Sequence, residues 1–215
     1  MKNKIGNGHC FLDFISYTLD LIGQYGIDIT YDEVIRRYSE PHRHFHTVEH
    51  LNDVLKQLVL KRSQLLSDNK RSQRSSDNYV SMLIAAIFHD IVYDPQRRDN
   101  EEKSIEFLDF STSILDESEY YEIKENAKKI ILATKTHDKI HELIYSFNKI
   151  DCSILDRSLP ELLKWEEQIH KEYEFTGSEY KERRLKFLKL SIPEHMGNVN
   201  NLNKLIEYVE KSYLS

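Results

Sequence analysis

Leu83-Ile84-Ala85-Ala86-Ile87-Phe88-His89-Asp90-Ile91-Val92-Tyr93-Asp94-Pro95 is an apolar run that ends abruptly in a His-Asp pair and then a turn. A stretch this apolar belongs inside a folded domain, as a buried helix or strand. Polar residues at its tip need a reason, because an unpaired buried charge is strongly destabilising. Two readings are open at this point: a helix end that meets solvent, or a pair neutralised by a partner or a cation.

Outward from this run, helical spacing dominates and alternating strand patterns are scarce. Leu12, Ile15, Leu19 and Ile22 form an amphipathic stripe with Gly23 and Gly26 near its end. Thr30-x-x-Glu33 reads as a capping box that opens a helix through Val34 to Tyr38, stopped before Pro41. Leu51, Val54 and Leu58 begin another stripe. From Lys61 to Asn78 the chain turns polar and loses periodicity, which predicts an exposed, mobile connection. Asp99 or Asn100 is placed to cap the helix of Ile105 and Leu108, and Ser118 to Thr134 repeats the pattern. Ile140, Leu143, Ile144 and Phe147 lead into Ile150-Asp151. Ser158-x-x-Glu161, with Pro160 in the first turn, opens a helix through Leu162, Trp165, Ile169 and Tyr173. Tyr180, Leu185 and Leu188 give one more, and a last helix is expected over 193–213. The expected fold is all-α, a single domain over 1–215 of about nine or ten helices, with its core over about 8–190 and a polar insert at 61–78.

The 215 residues suffice for one sizeable core, and 40% apolar with 31% charged residues is ordinary for a soluble globular protein. A formal charge of −6 argues against a general nucleic-acid-binding surface, so no nucleic-acid partner is expected. Two isolated cysteines, Cys10 and Cys152, argue against a disulfide scaffold or a thiolate zinc site. Met1-Lys2-Asn3-Lys4-Ile5 lacks the apolar core of a signal peptide, and no run approaches the roughly 18 apolar residues of a membrane span. A cytoplasmic protein, monomer or homodimer, without a membrane partner, is the expectation.

The densest histidine cluster is Arg43-His44-Phe45-His46-Thr47-Val48-Glu49-His50. On a helix, His46 and His50 share one face about 5–6 Å apart at their β-carbons, which suits one imidazole on a metal and the other facing a substrate. A surface helix start with satisfied histidines is the competing reading. His89 and Asp90 diverge by roughly 100° on a helix, so both reach one cation only beside the helix end. Asp151 is a carboxylate on an otherwise apolar face, equally a cap or a salt-bridge partner. Together His50, His89, Asp90 and Asp151 offer two imidazoles and two carboxylates. Such a set suits a divalent ion (Mn, Mg, Fe, Co, Ni or Zn) with positions left for water and substrate oxygen.

The order His … His-Asp … Asp on an all-α chain resembles the HD superfamily of metal-dependent phosphohydrolases, most closely its predicted metal-dependent HD phosphohydrolase group. Members carry blocks like Glu-Pro-x-Arg-x-Tyr-His-Thr-x-x-His, Phe-His-Asp-x-Val-Tyr-Asp-Pro and Asn-Glu-Glu-x-Ser. This chain has Glu40-Pro41-His42-Arg43-His44-Phe45-His46-Thr47-Val48-Glu49-His50, then Phe88-His89-Asp90-Ile91-Val92-Tyr93-Asp94-Pro95, then Asn100-Glu101-Glu102-Lys103-Ser104. Ala133-Thr134-x-x-His137 and Asp151-x-Ser153-Ile154-Leu155 match later blocks, so the likeness spans roughly 8–190. The resemblance implies an HD-type helical bundle with His50, His89, Asp90 and Asp151 as metal ligands. It puts His46 where related cyclic-nucleotide phosphodiesterases hold a proton-donating histidine. In two respects the chain departs: Lys149 stands where the family usually has the first acid of Asp-x-Asp, with Asp156 as a fallback ligand, and the insert at 61–78 is long.

The expected activity is metal-dependent hydrolysis of a phosphate ester, on a small phosphorylated metabolite or nucleotide, with His46 as proton donor. Asp90 is expected to hold the attacking water or bridge a second metal. Arg43 reads either as a bidentate phosphate clamp or as a salt-bridge partner. Glu101 and Asn100 read either as orienting groups (Glu101 for the water, Asn100 at the substrate) or as a helix cap with first-turn acids. His137 is a candidate for substrate or a second ion, and Arg184 for substrate from the late helices. Trp165 and Tyr173 read as core. Two alternatives stand beside this reading: a di-iron oxygenase of the same architecture, short of histidines beyond His137 and His141, and a non-catalytic nucleotide-binding regulatory module.

Overall fold

A computed structural model describes residues 13–67, 73–112, 120–136 and 141–213. Among them ten α-helices and no strand are found: α1 (Phe14–Gly23), α2 (Tyr31–Tyr38), α3 (Val48–Ser67), α4 (Gln73–Phe88), α5 (Asn100–Phe110), α6 (Tyr121–Thr134), α7 (Glu142–Asp151), α8 (Leu159–Tyr173), α9 (Ser178–Ser191) and α10 (Val199–Ser212). The fold is an all-α helical bundle. Its one extended feature among these residues is an isolated bridge between Ile27 and Thr112, where Asp28 N–H donates to Ser111 O at 2.7 Å.

The apolar run is the second half of α4. Leu83, Ile84, Ala85, Ala86, Ile87 and Phe88 are all fully buried. A helix apolar on every side belongs in the middle of a bundle, and α4 is indeed packed by α1, α3, α5 and α6. Ser81 is the polar exception; its single hydroxyl proton is shared between Asp77 O within α4 and Ile123 O of α6, so it is satisfied and ties the two helices. Tyr38, at the end of α2, is also fully buried and donates to Ile87 O at 3.0 Å. A second, smaller core gathers Leu155, Leu162, Leu188, Leu202, Leu205 and Val209 from α8, α9, α10 and the 3-10 segment Cys152–Asp156.

Four local expectations change. The described parts of 61–78 are helical: α3 continues to Ser67 and α4 begins at Gln73. Lys, Arg and Gln sustain a helix well, and an exposed helix end needs no apolar stripe. At α2, Thr30 accepts from Glu33 N–H, but Glu33 does not reciprocate; its carboxylate pairs with Arg36 and Arg37 instead. Asp99 precedes α5 without capping it, because Arg97 holds its carboxylate. The reciprocal box at Ser158 and Glu161 does form. Pro193 falls in a 3-10 segment, Ile192–Asn198, so the last helix starts at Val199. The expected positions Leu12, Ser118 and Ile140 lie outside the described residues.

Helix α8 has an unusual inner face. Its buried positions are Leu162, Glu166, Ile169 and Glu172, two of them carboxylates.

Replacing the central Leu83 by alanine is expected to lower the unfolding free energy by about 2–5 kcal/mol in a urea titration. Leu60→Ala, at 64% exposure, is expected to stay within about 0.5 kcal/mol of wild type.

Candidate functional site

The buried run of α4 ends at Phe88, and His89 completes the last turn through its N–H to Ala85 O at 2.8 Å. The His89 Nδ1 lies 3.0 Å from Ala86 O. A carbonyl only accepts, so Nδ1 carries a proton and Nε2 is the nitrogen aimed away from the helix. That Nε2 is buried and has no hydrogen-bond partner, yet Asp90 Oδ2 lies 3.0 Å away and Asp151 Oδ1 3.5 Å away. Both carboxylates stabilise a protonated ring, through charge and through hydrogen bonding to a proton on Nε2. Burial disfavours the imidazolium, but Asp90 and Asp151 outweigh it and hold the His89 pKa well above the ordinary value. A bare lone pair facing two carboxylates is repulsive, so this spot demands a positive charge, a proton or a metal cation.

Two more elements aim at the same point. His50, in the first turn of α3, sets its Nε2 at 3.2 Å from Asp151 Oδ1 and 3.8 Å from Asp90 Oδ2. Asp151 is the last residue of α7. One ligand atom each from His50, His89 and Asp151 all lie within 4.8 Å of one another. With metal–ligand bonds of about 2.0–2.2 Å, neighbouring donor atoms stand about 3.0–3.6 Å apart. The two imidazoles sit at 3.2 and 3.5 Å from the Asp151 oxygen, so the donor set fits a divalent ion. Burial alone would raise the Asp90 pKa, but His89, His46 and His50 push it far below the usual carboxylate range, so Asp90 stays ionised.

His46 lies in the turn before α3 rather than on the helix, with its ring centroid 5.8 Å from that of His50. Its orientation comes from a residue the sequence reading passed over. Glu172 of α8 is 3% exposed, and its Oε1 accepts the consecutive backbone N–H groups of His44, Phe45 and His46 at 2.7, 2.7 and 3.0 Å. Three successive amides around one oxygen make an anion nest. The Oε2 of Glu172 receives His46 Nδ1 at 2.6 Å and the Tyr93 hydroxyl at 2.9 Å. Burial pushes the Glu172 pKa up, but His46 and the amides outweigh it and bring it down to about 2. For His46 burial works downward, and Glu172 with Asp90 more than offset it, raising the pKa. An ionised Glu172 fixes the His46 tautomer with the proton on Nδ1, leaving Nε2 for the cavity that His46 lines.

The cavity, about 610 Å³, lies where the two cores meet and is walled by His46, the four cluster residues, Phe45, Tyr93, Ile169, Tyr173 and Phe187 among others. Glu101, Asn100 and Arg184 also line it. Burial raises the pKa of Glu101, with Lys135 nearby acting against it. The Asn100 amide is already committed to the Asp94 turn, donating to Asp94 O and accepting from Asp94 N–H. Arg43 does not serve as a phosphate clamp. Its side chain is fully buried and spends its donors on Glu40, His46 O, Asp90 O and Ile91 O, stapling the His46 turn to the backbone of Asp90. His137 lies outside the described residues. Asp156, the fallback ligand, is half exposed and pairs with His195, while Lys149 is exposed. His141 caps α7, where its Nδ1 accepts from Leu143 N–H.

One signal in the sequence pointed to Glu172. It falls on the buried stripe of α8 with Leu162 and Ile169, where a carboxylate is costly unless it is bonded. Comparisons with protein-family models, with curated proteins and with solved structures find no match to this chain.

Glu172 titrates lower in the folded protein than its ordinary value of 4.5. Its contribution to stability is therefore fully present above about pH 4.5 and lost as pH falls toward about 2. The destabilisation caused by Glu172→Gln is expected to shrink across that window, measured by denaturant titrations at a series of pH values.

Proposed function

We propose that the protein is a metal-dependent phosphohydrolase of HD type, acting on a small phosphorylated metabolite or nucleotide. The observation that carries the reading is His89: a buried imidazole whose Nε2 has no hydrogen-bond partner and faces two carboxylates, with His50 at the same point. The histidine held by Glu172 beside that cluster supports it further, as does the resemblance of the quoted sequence blocks. His50, His89, Asp90 and Asp151 are the residues that would hold the ion. When bound, a divalent ion lowers the pKa of water toward neutrality and offsets the charge developing on phosphoryl oxygens.

The rest falls to the chain itself. Ionised Asp90 accepts a hydrogen bond from the attacking water and orients it toward phosphorus. As the water oxygen bonds to phosphorus, the bond to the leaving oxygen breaks. His46 delivers the proton from Nε2 to that oxygen, and Glu172 stabilises the imidazolium beforehand and holds the ring at the required angle. Glu101 lines the same cavity as a second carboxylate for water. Phe45, packed 4.9 Å from the His50 ring and 5.0 Å from Trp165, shields one side of the site from solvent. The di-iron alternative asks for more histidines, and His141 is spent as a helix cap.

Purified protein assayed with p-nitrophenyl phosphate and nucleotides across Mn, Mg, Fe, Co, Ni and Zn is expected to turn over at least one pair. Absence of turnover in protein with metal bound overturns the reading. His89→Ala and Asp151→Ala are expected to lose metal by elemental analysis together with activity. His46→Ala is expected to keep metal while kcat falls by roughly two to four orders of magnitude. Activity should fall as pH rises through the raised His46 pKa, and Glu172→Gln is expected to move that alkaline limb to lower pH.

A further inference from the structure

Basic side chains gather at the cavity although the chain as a whole carries −6. Arg97, Arg98, Lys135, Arg183 and Arg184 line it, against Asp90, Glu101 and Asp151. Most of these cations are accounted for by exposed partners: Arg97 pairs with Asp99, Lys135 with Glu102, and Arg183 with Glu179. Arg184 differs. Its side chain is only 13% exposed, and its Nε donates at 2.7 Å to Glu166, a fully buried carboxylate on α8. Glu166 also receives the Tyr180 hydroxyl, and the guanidinium lies over the Phe187 ring with 5.2 Å to the centroid.

This arrangement grips the guanidinium at one edge and one face. The Nε edge is bonded to Glu166, whereas the two Nη groups donate to no protein acceptor among the described residues. An arginine fixed this way presents a planar fork of N–H donors whose ordering entropy is already spent, the geometry that suits a phosphate or carboxylate. A merely structural ion pair between α8 and α9 leaves its Nη groups to solvent on the outside of the protein. Here the residue lines the cavity that also holds His50, His89 and Asp151. The volume, about 610 Å³, has room for a ligand reaching from that cluster to the arginine.

We infer that the cavity takes a phosphate ester carrying a second anionic group, and that Arg184 receives that group while the scissile phosphate lies at the His50, His89, Asp151 cluster. The inference rests on the phosphohydrolase reading for the role of the second end, but binding at Arg184 does not depend on turnover. Arg184 is a substrate-binding residue in this scheme, with Glu166 and Tyr180 positioning it.

The test is calorimetric titration of the metal-loaded full chain with α,ω-alkane bisphosphonates of increasing length, each against the alkane monophosphonate of equal length. An arm with ω-phosphonocarboxylates tells a phosphate-like second group from a carboxylate. At least one doubly anionic ligand is expected to bind about ten- to a hundredfold more tightly than its singly anionic match, the size of one or two charge-assisted hydrogen bonds. Arg184→Lys keeps a cation beside Glu166 and so keeps the fold, but loses the fork; it is expected to erase most of that advantage and leave monophosphonate binding unchanged. The double variant Arg184→Gln with Glu166→Gln, which leaves no unpaired buried charge, is expected to behave alike. Arg183→Gln is expected to retain the advantage. Equal affinities throughout the ligand series, an advantage that survives both Arg184 variants, or one that Arg183→Gln removes as fully, overturns the assignment. An Arg184-dependent advantage in a protein that hydrolyses no phosphate ester leaves this site standing and removes the hydrolase reading; hydrolysis without the advantage does the reverse.

Discussion

The rest of this structure depends on one electrostatic constraint: two carboxylates, Asp90 and Asp151, share a buried point with two imidazoles. Like charges at this depth repel strongly unless a positive charge sits among them. Arg43 reaches the backbone of Asp90, but its donors are spent on Glu40 and on the carbonyls of His46, Asp90 and Ile91. What remains is a proton on an imidazole or a metal ion. The histidine that meets the carboxylates has its other nitrogen tied to Ala86 O, so its free nitrogen is fixed toward them. The ends of the surrounding helices thus form a place that a positive charge would stabilise.

Helix α8 is the means by which the second core serves the first. Glu166 and Glu172 lie on its buried face, and each holds one functional side chain from elsewhere in the chain: Arg184 for the first, His46 for the second. Burying a carboxylate is unfavourable by itself, and here each is compensated by several donors, three amides, an imidazole and a phenol around Glu172 alone. One helix thus holds both His46 and Arg184, and its own start is marked by the complete capping box at Ser158 and Glu161.

Much of this was legible from the sequence, because the signals were local. The all-round apolar run of α4, the stripes of α1, α6 and α8 and the ends of most helices follow from period and capping chemistry. His50, His89, Asp90 and Asp151 were legible as a candidate set of residue types without a thiolate, and their convergence was expected from the resemblance of the quoted motif blocks. What escaped was of two kinds. The described parts of the polar stretch after Lys61 belong to the ends of α3 and α4, where no apolar period is there to be read. Glu172 and Arg43 bond mainly to backbone groups far along the chain, and a backbone amide or carbonyl leaves no mark in the sequence. A guanidinium beside a histidine motif reads the same whether it grips phosphate or carbonyl oxygen; only its burial separates the two.

The placement of these four residues also explains how a polar centre coexists with an apolar core. None of them lies mid-helix: His50 is in the first turn of α3, His89 and Asp90 follow the last residue of α4, and Asp151 closes α7. A charged residue within the 83–88 run would sit among fully buried apolar side chains, whereas at the end of α4 the chain turns away and leaves room. Two of the three helix ends are C-terminal, where the macrodipole carries about half a negative charge. Their carbonyl ends favour a cation over an anion at that point, which reinforces what the carboxylates impose. The N-terminal end of α3 contributes an imidazole rather than a third carboxylate, so the cluster stops at two acids.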